Sequence, residues 1–91
     1  MAKVIVTLRI MPSSPETNLS EIKDKVCKEI SDFGGEVGKV EDAPIAFGLT
    51  AANIIFILDE SRGSTEPLED KIRKIDNVNS VEVTDVRRTI G

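Results

Sequence analysis

Two adjacent guanidinium groups, Arg87 and Arg88, one thiol, Cys27, and an acidic turn, Asp59-Glu60, are the side chains whose chemistry first suggests a function. A guanidinium carried on the end of a strand can enter a phosphate or Mg²⁺ site as a fixed positive charge; the competing reading of adjacent charges near a terminus is a solubilising end. Asp59-Glu60 could touch a hard cation, but two carboxylates without a third ligand at a set spacing read as a solvated turn. Cys27 is the only cysteine and there is no histidine. A zinc site would need carboxylates plus one thiolate, and a Ser or Cys nucleophile would lack its usual imidazole partner. No metal, no cofactor and no covalent enzyme chemistry are expected. One apolar group stands out beside these charges: Phe47, within Pro44-Ile45-Ala46-Phe47-Gly48-Leu49, lies in a stretch that reads as a hairpin tip. There it either folds back to plug one end of a sheet or serves a partner as an aromatic anchor.

Composition narrows the partners. Twelve Lys and Arg against sixteen Asp and Glu leave a net charge of -4, which repels a phosphate backbone unless the cations are sorted onto one surface. Base stacking on a sheet needs exposed aromatic rings, yet the chain holds three Phe and no Tyr or Trp; Phe33 and Phe56 fit a core. Direct nucleic-acid binding is therefore not expected. No apolar run is long enough for a bilayer and no leader precedes the first strand, so a cytoplasmic protein without membrane contact is expected. With 40% hydrophobic and 31% charged residues over 91 positions, a single folded domain over residues 1–91 is expected.

The elements that must position these groups follow from periodicity. Residues 3–11 alternate as a strand, with Val4, Val6, Leu8 and Ile10 on the core face. Residues 12–17, with Pro12 and Pro15, break pairing and form a loop. Asn18 with Glu21 reads as a helix start, and Leu19, Ile22, Val26, Ile30 and Phe33 then form one stripe up to Gly34, which suits a left-handed helix end. Residues 36–43, carrying Val37 and Val40 among charges, read as an edge strand. The run Ile54-Ile55-Phe56-Ile57-Leu58 within residues 52–58 reads as a central strand shielded on both faces. Ser64 is expected to cap a second helix with Pro67 in its first turn, an inner stripe of Leu68, Ile72 and Ile75, and an exposed Glu69–Arg73 pair. Residues 78–88 form a last strand with Val81 and Val83 inward. The order β-α-β-β-α-β implies an α+β split βαβ fold of ferredoxin-like type: a four-stranded antiparallel sheet with two helices on one face.

Longer motifs carry a resemblance. Val6-Thr7-Leu8-Arg9-Ile10-Met11-Pro12 followed by Glu16-Thr17-Asn18-Leu19, the hairpin Pro44-Ile45-Ala46-Phe47-Gly48 running into Asn53-Ile54, the strand end Leu58-Asp59-Glu60 and the closing Ser80-Val81-Glu82-Val83 together resemble the archaeal elongation factor 1-beta family. They are similar, too, to the C-terminal exchange domain of the eukaryotic factor. The likeness spans nearly the whole chain and implies the same split βαβ fold. It also implies a guanine nucleotide exchange factor that promotes GDP release and GTP loading on elongation factor 1-alpha during translation elongation.

In the eukaryotic family the hairpin aromatic docks on the second domain of the GTPase, and the matching position is Phe47, flanked by Pro44, Ile45 and Gly48. The family's penultimate lysine enters the Mg²⁺ and γ-phosphate region, and its matching position is Arg88. Here the chain departs from the family pattern: Arg replaces Lys, Arg87 precedes it and shares the assignment, and Thr89-Ile90-Gly91 prolong the tail. A monomer when free is expected. The competing class is a small-ligand-binding regulatory module of ferredoxin-like fold, which would hold an amino acid or similar metabolite in a strand-helix loop, such as residues 12–17, or at a dimer interface.

Overall fold

The computed structural model describes residues 3–45, 48–62 and 64–89. Six elements follow one another as β1 (Lys3–Pro12), α1 (Leu19–Phe33), β2 (Glu36–Pro44), β3 (Thr50–Asp59), α2 (Glu66–Arg73) and β4 (Val78–Thr89), with a short 3₁₀ turn at Glu60–Arg62. The strands pair in the order β2-β3-β1-β4, every contact antiparallel. Each βαβ half therefore skips a strand position, and both helices lie on one face. This is the α+β ferredoxin-like architecture expected from the element order.

Val6, Leu8 and Ile10 of β1 meet Ile54, Phe56 and Leu58 of β3 on the helix side. Ile22, Val26 and Ile30 of α1 and Leu68 and Ile72 of α2 close over them. Burying side chains of this size stabilises by roughly 1.5–3 kcal/mol each before chain entropy is set against it. The opposite face is thinner. Ile5, Ile55 and Ile57 are half-buried, sheltered only by cross-strand neighbours such as the Ile5 and Ile57 pair. The run's reading as a strand shielded on both faces gives way to what the element order implies, two helices on one face and the other uncovered: among the described residues no helix lies on this side, and cross-strand neighbours half-hide these side chains.

Three register shifts set which residues face the helices; in one, Met11 pairs with Ser80 and Pro12 with Val78, leaving Asn79 as the extra residue. Val37 pairs with Phe56 and Lys39 with Ile55, leaving Gly38 as the extra residue; Val37 and Val40, three apart, consequently share the helix side. In β4, Val83 pairs with Leu8 and Asp85 with Thr7, so Thr84 is extra, its hydroxyl donating to the Thr7 carbonyl at 3.4 Å. From there on the inward positions are Val86 and Arg88 instead of Asp85 and Arg87.

The helix ends follow from local chemistry. The Glu21 N–H donates to Asn18 Oδ1 at 3.3 Å, satisfying one orphan donor of α1. Gly34 takes φ 100°, a left-handed value that costs a side-chain-bearing residue energy, and the Gly35 N–H reaches back to the Ile30 carbonyl at 2.9 Å. α2 starts one residue later than Ser64 would give: Thr65 holds the cap position, while Ser64 Oγ accepts the Glu66 N–H at 3.1 Å. Pro67 supplies no N–H for Thr65 to accept, and the Thr65 hydroxyl instead donates to Glu69 Oε2 at 2.9 Å. The helix ends at Arg73, so Ile75 packs on the core from the following turn. Among the described residues no helix is long and apolar enough to cross a membrane.

Gly35 sits where the α1 cap presses on β3. A Cβ there would lie 2.8 Å from Ile30 Cγ2, 3.1 Å from Leu58 Cδ2 and 3.3 Å from the Ile30 carbonyl. Because that carbonyl and the buried Ile30 leave little room to give, Gly35→Ala is expected to destabilise the fold by about 1–3 kcal/mol, read as a lower urea midpoint with an unchanged slope.

Candidate functional site

The hairpin and the arginines lie at opposite ends of the sheet. Thr50, at the start of β3, pairs with Pro44, whereas Asp59, at its end, pairs with Lys3, which pairs in turn with Thr89. Ten residues of strand separate the two ends by ~30 Å at the usual rise per residue. The fold does not bring the hairpin and the arginines together into one pocket; it holds them apart on a rigid ruler.

At the hairpin end Pro44 is exposed and closes β2, and the Ile45 N–H donates to the Leu49 carbonyl at 2.7 Å, pinning the base of the turn. Gly48 has φ 76°, and a Cβ added there would meet nothing within 4 Å, so glycine is favoured by backbone conformation and not by crowding. Ala46 and Phe47 lie outside the described residues. Close by, a cavity of about 250 Å³ opens between the loop and the hairpin base, lined by Pro12, Ser14, Thr17, Asp42 and Thr50 among others. Asp42, the charged residue in this lining, is paired with Lys23 at 2.7 Å.

At the other end the Thr84 bulge divides the two arginines between faces. Arg88 stands opposite Val4 on the helix side, and Arg87 stands opposite Ile5 on the open side. Arg87 Nε donates to Asp85 Oδ2 at 2.9 Å. Arg88 donates to Glu60, the first residue of the 3₁₀ turn. Its side chain is nevertheless 69% exposed, so water and a partner can reach the guanidinium. The hydrogen bond to Glu60, together with the carboxylate's charge, favours the charged form of Arg88 still further. Beneath this pair lies a cavity of about 430 Å³ lined by Val4, Val6, Leu58 and Val86; Val86 is 56% exposed, a large apolar group left open beside a cation.

The remaining candidates are structural. Asp59 accepts the Ser61 N–H at 2.9 Å, and this bond holds its carboxyl below the ordinary carboxylate range. Among the described residues no group of three or more His, Cys, Asp or Glu gathers to hold a metal. Cys27 is a half-buried free thiol whose pKa is raised by burial and then by Asp24, with Lys23 opposing; this disfavours the reactive thiolate. Arg73 reaches Asp70 at 3.0 Å and Glu69 only at 3.8 Å; the Glu69 side chain is 14% exposed and bonded to Thr65, so the pair expected to be exposed is half-buried at its acidic end. Phe56 is fully buried and Phe33 packs against the core. The feature that sequence reasoning missed is Glu60 as the partner of Arg88, a contact across 28 positions that no spacing rule announces.

A ferredoxin-like sheet whose two ends carry an apolar hairpin and a cationic strand tip is the class of domain defined so far. Solved structures share this shape: the ACT domain of a GTP pyrophosphokinase from Chlorobium tepidum has a TM-score of 0.61 at 20% identity, covering 89% of this chain and 97% of that one. The de novo designed protein Foldit4 has a TM-score of 0.63 at 23% identity, covering 98% of each. At such identities the likeness is one of fold alone. The chain belongs to the EF-1 guanine nucleotide exchange domain family, whose model matches residues 5–89. It is 39% identical over 88 residues to elongation factor 1-beta of Methanothermobacter thermautotrophicus, covering 97% of this chain and 98% of that protein. With elongation factor 1-beta of Methanobrevibacter smithii the identity is 43% at the same coverage, and with that of Staphylothermus marinus it is 40% over 89 residues, again covering 97% and 98%. Its role is accordingly nucleotide exchange for translation elongation factor 1, with a G-protein elongation factor as partner.

Proposed function

We propose that this chain, as a single domain over residues 1–91 and a monomer when free, accelerates GDP release from elongation factor 1-alpha in the cytoplasm and so lets GTP load. The observation that carries this reading is the family match over residues 5–89, which takes in both ends of the sheet. The hairpin Pro44, Ile45, Phe47 and Gly48 grips the GTPase at one end. Arg88 is delivered toward its magnesium and phosphate region from the other, and Arg87, on the opposite face, contributes charge at the periphery.

No covalent step is needed. Mg²⁺ bridges phosphate oxygens and GTPase ligands, so a fixed cation beside it weakens the nucleotide's hold. The factor has only to bind the nucleotide-free GTPase better than the loaded one, because a ligand shifts an equilibrium solely through differential affinity. A sheet ~30 Å long suits this task, since one end can stay anchored while the other acts.

Stopped-flow release of fluorescent GDP from the cognate GTPase tests the proposal. Release should quicken with added protein and saturate; release at the spontaneous rate at every concentration would refute it. Phe47→Ala is expected to raise the half-saturating concentration about tenfold or more, an aromatic anchor being worth ~2 kcal/mol, with the maximal rate near that of the unaltered protein.

A further inference from the structure

We infer that Glu60 is the counter-charge that parks Arg88, so that breaking the Glu60–Arg88 pair is a step of the exchange cycle and Glu60 acts as a brake on it. The inference rests on the reading of Arg88 as the exchange group. The geometry supplies the rest. Glu60 opens the 3₁₀ turn directly after β3, while Arg88 lies near the end of β4, two strands away across β1. The two meet over the cavity lined by Val4, Leu58 and Val86. Arg88 has no other acidic partner among the described residues.

The guanidinium can direct a given N–H edge to one carboxylate or to another anion, not to both at once. The groups it would meet on the GTPase, phosphate oxygens and carboxylate ligands of Mg²⁺, are of the same chemical kind as the carboxylate it already holds. Glu60 therefore competes with the very site that Arg88 must reach. Both side chains are open to water, at 42% and 69% exposure, and an exposed pair of this kind is weak enough to open readily. This competition acts after docking, at the cationic end, and leaves the hairpin grip untouched.

Glu60→Gln keeps the shape and removes the charge. In the fluorescent GDP release assay it is expected to raise the maximal release rate about two- to fivefold, the range set by typical exposed pairs, with the half-saturating concentration unchanged. Asp70→Asn removes the same charge from the exposed side of α2 and should leave both parameters as they are, which separates a local effect from one of net charge. The gain should vanish in an Arg88→Ala background, a dependence that a merely structural role for Glu60 would not produce. Thermal melting of each variant checks that the fold is kept. If Arg88→Ala slows release while Glu60→Gln leaves it unchanged or slows it, Glu60 is no brake and the inference is overturned with the reading of Arg88 intact. If Arg88→Ala releases GDP at the unaltered rate, that reading fails and the inference falls with it.

Discussion

Arg88→Ala is expected to lower the maximal rate of GDP release about ten- to a hundredfold while changing the half-saturating concentration little. The size follows from the ~1.5–3 kcal/mol typical of a hydrogen bond to a charged group, taken at ~1.4 kcal/mol per factor of ten. The division between the two parameters follows from geometry. The hairpin that carries Phe47 lies at the far end of the sheet from Arg88, so removing the cation leaves docking in place and removes what docking delivers. Two further variants separate charge from bulk. Arg88→Met keeps an apolar stem over Val86 and Leu58 without the charge and should behave like alanine. Arg88→Lys restores the ammonium of the wider family and should retain release to within a few-fold, because a compact cation suffices where bidentate geometry is not required. If methionine at position 88 sustained the rate, the stem and not the charge would matter, and the electrostatic account would be wrong.

Much of this arrangement is legible in the sequence, and the parts that are not share one cause. The capping Asn18, the terminating Gly34 and the stripe from Leu19 to Phe33 fix α1 because each is a local interaction, made within a turn or two of itself. The run through Phe56 announces a strand for a similar reason. What it cannot announce is cover, since whether Ile55 and Ile57 are shielded depends on which face the distant helices choose. Register is subtler. Strict alternation from Val81 and Val83 would turn Arg87 inward and Arg88 outward, and the extra residue Thr84 reverses them. A bulge is a property of two strands together, so it leaves a trace in the sequence only where apolar residues three apart share a face, as Val37 and Val40 around Gly38 and Val78 and Val81 around Asn79 do. The Glu60–Arg88 pair is the extreme case: it exists because β1 pairs with both β3 and β4, bringing their ends side by side.

That one-sided cover gives the largest expected effect on stability. Phe56→Ala should destabilise the domain by about 3–5 kcal/mol, a large share of the roughly 5–15 kcal/mol that holds a domain of this kind together. Phe56 is fully buried, pairs across β3 with Val6 and Val37, and faces the helices, so its removal leaves a void that neighbours on three elements cannot fill without moving. Ile57 is the next residue along and the contrast to it. It faces the open side against Ile5, part of it is already in water, and truncation to alanine forfeits less apolar burial and leaves no enclosed cavity. Ile57→Ala is therefore expected to cost no more than about half as much, with urea titrations of the two variants read at equal slope. Equal costs would mean that the open face is covered in solution. If the cost of Ile57→Ala then grew with protein concentration, the cover would be a second copy of the chain, and the monomer assigned to the free state would have to be abandoned.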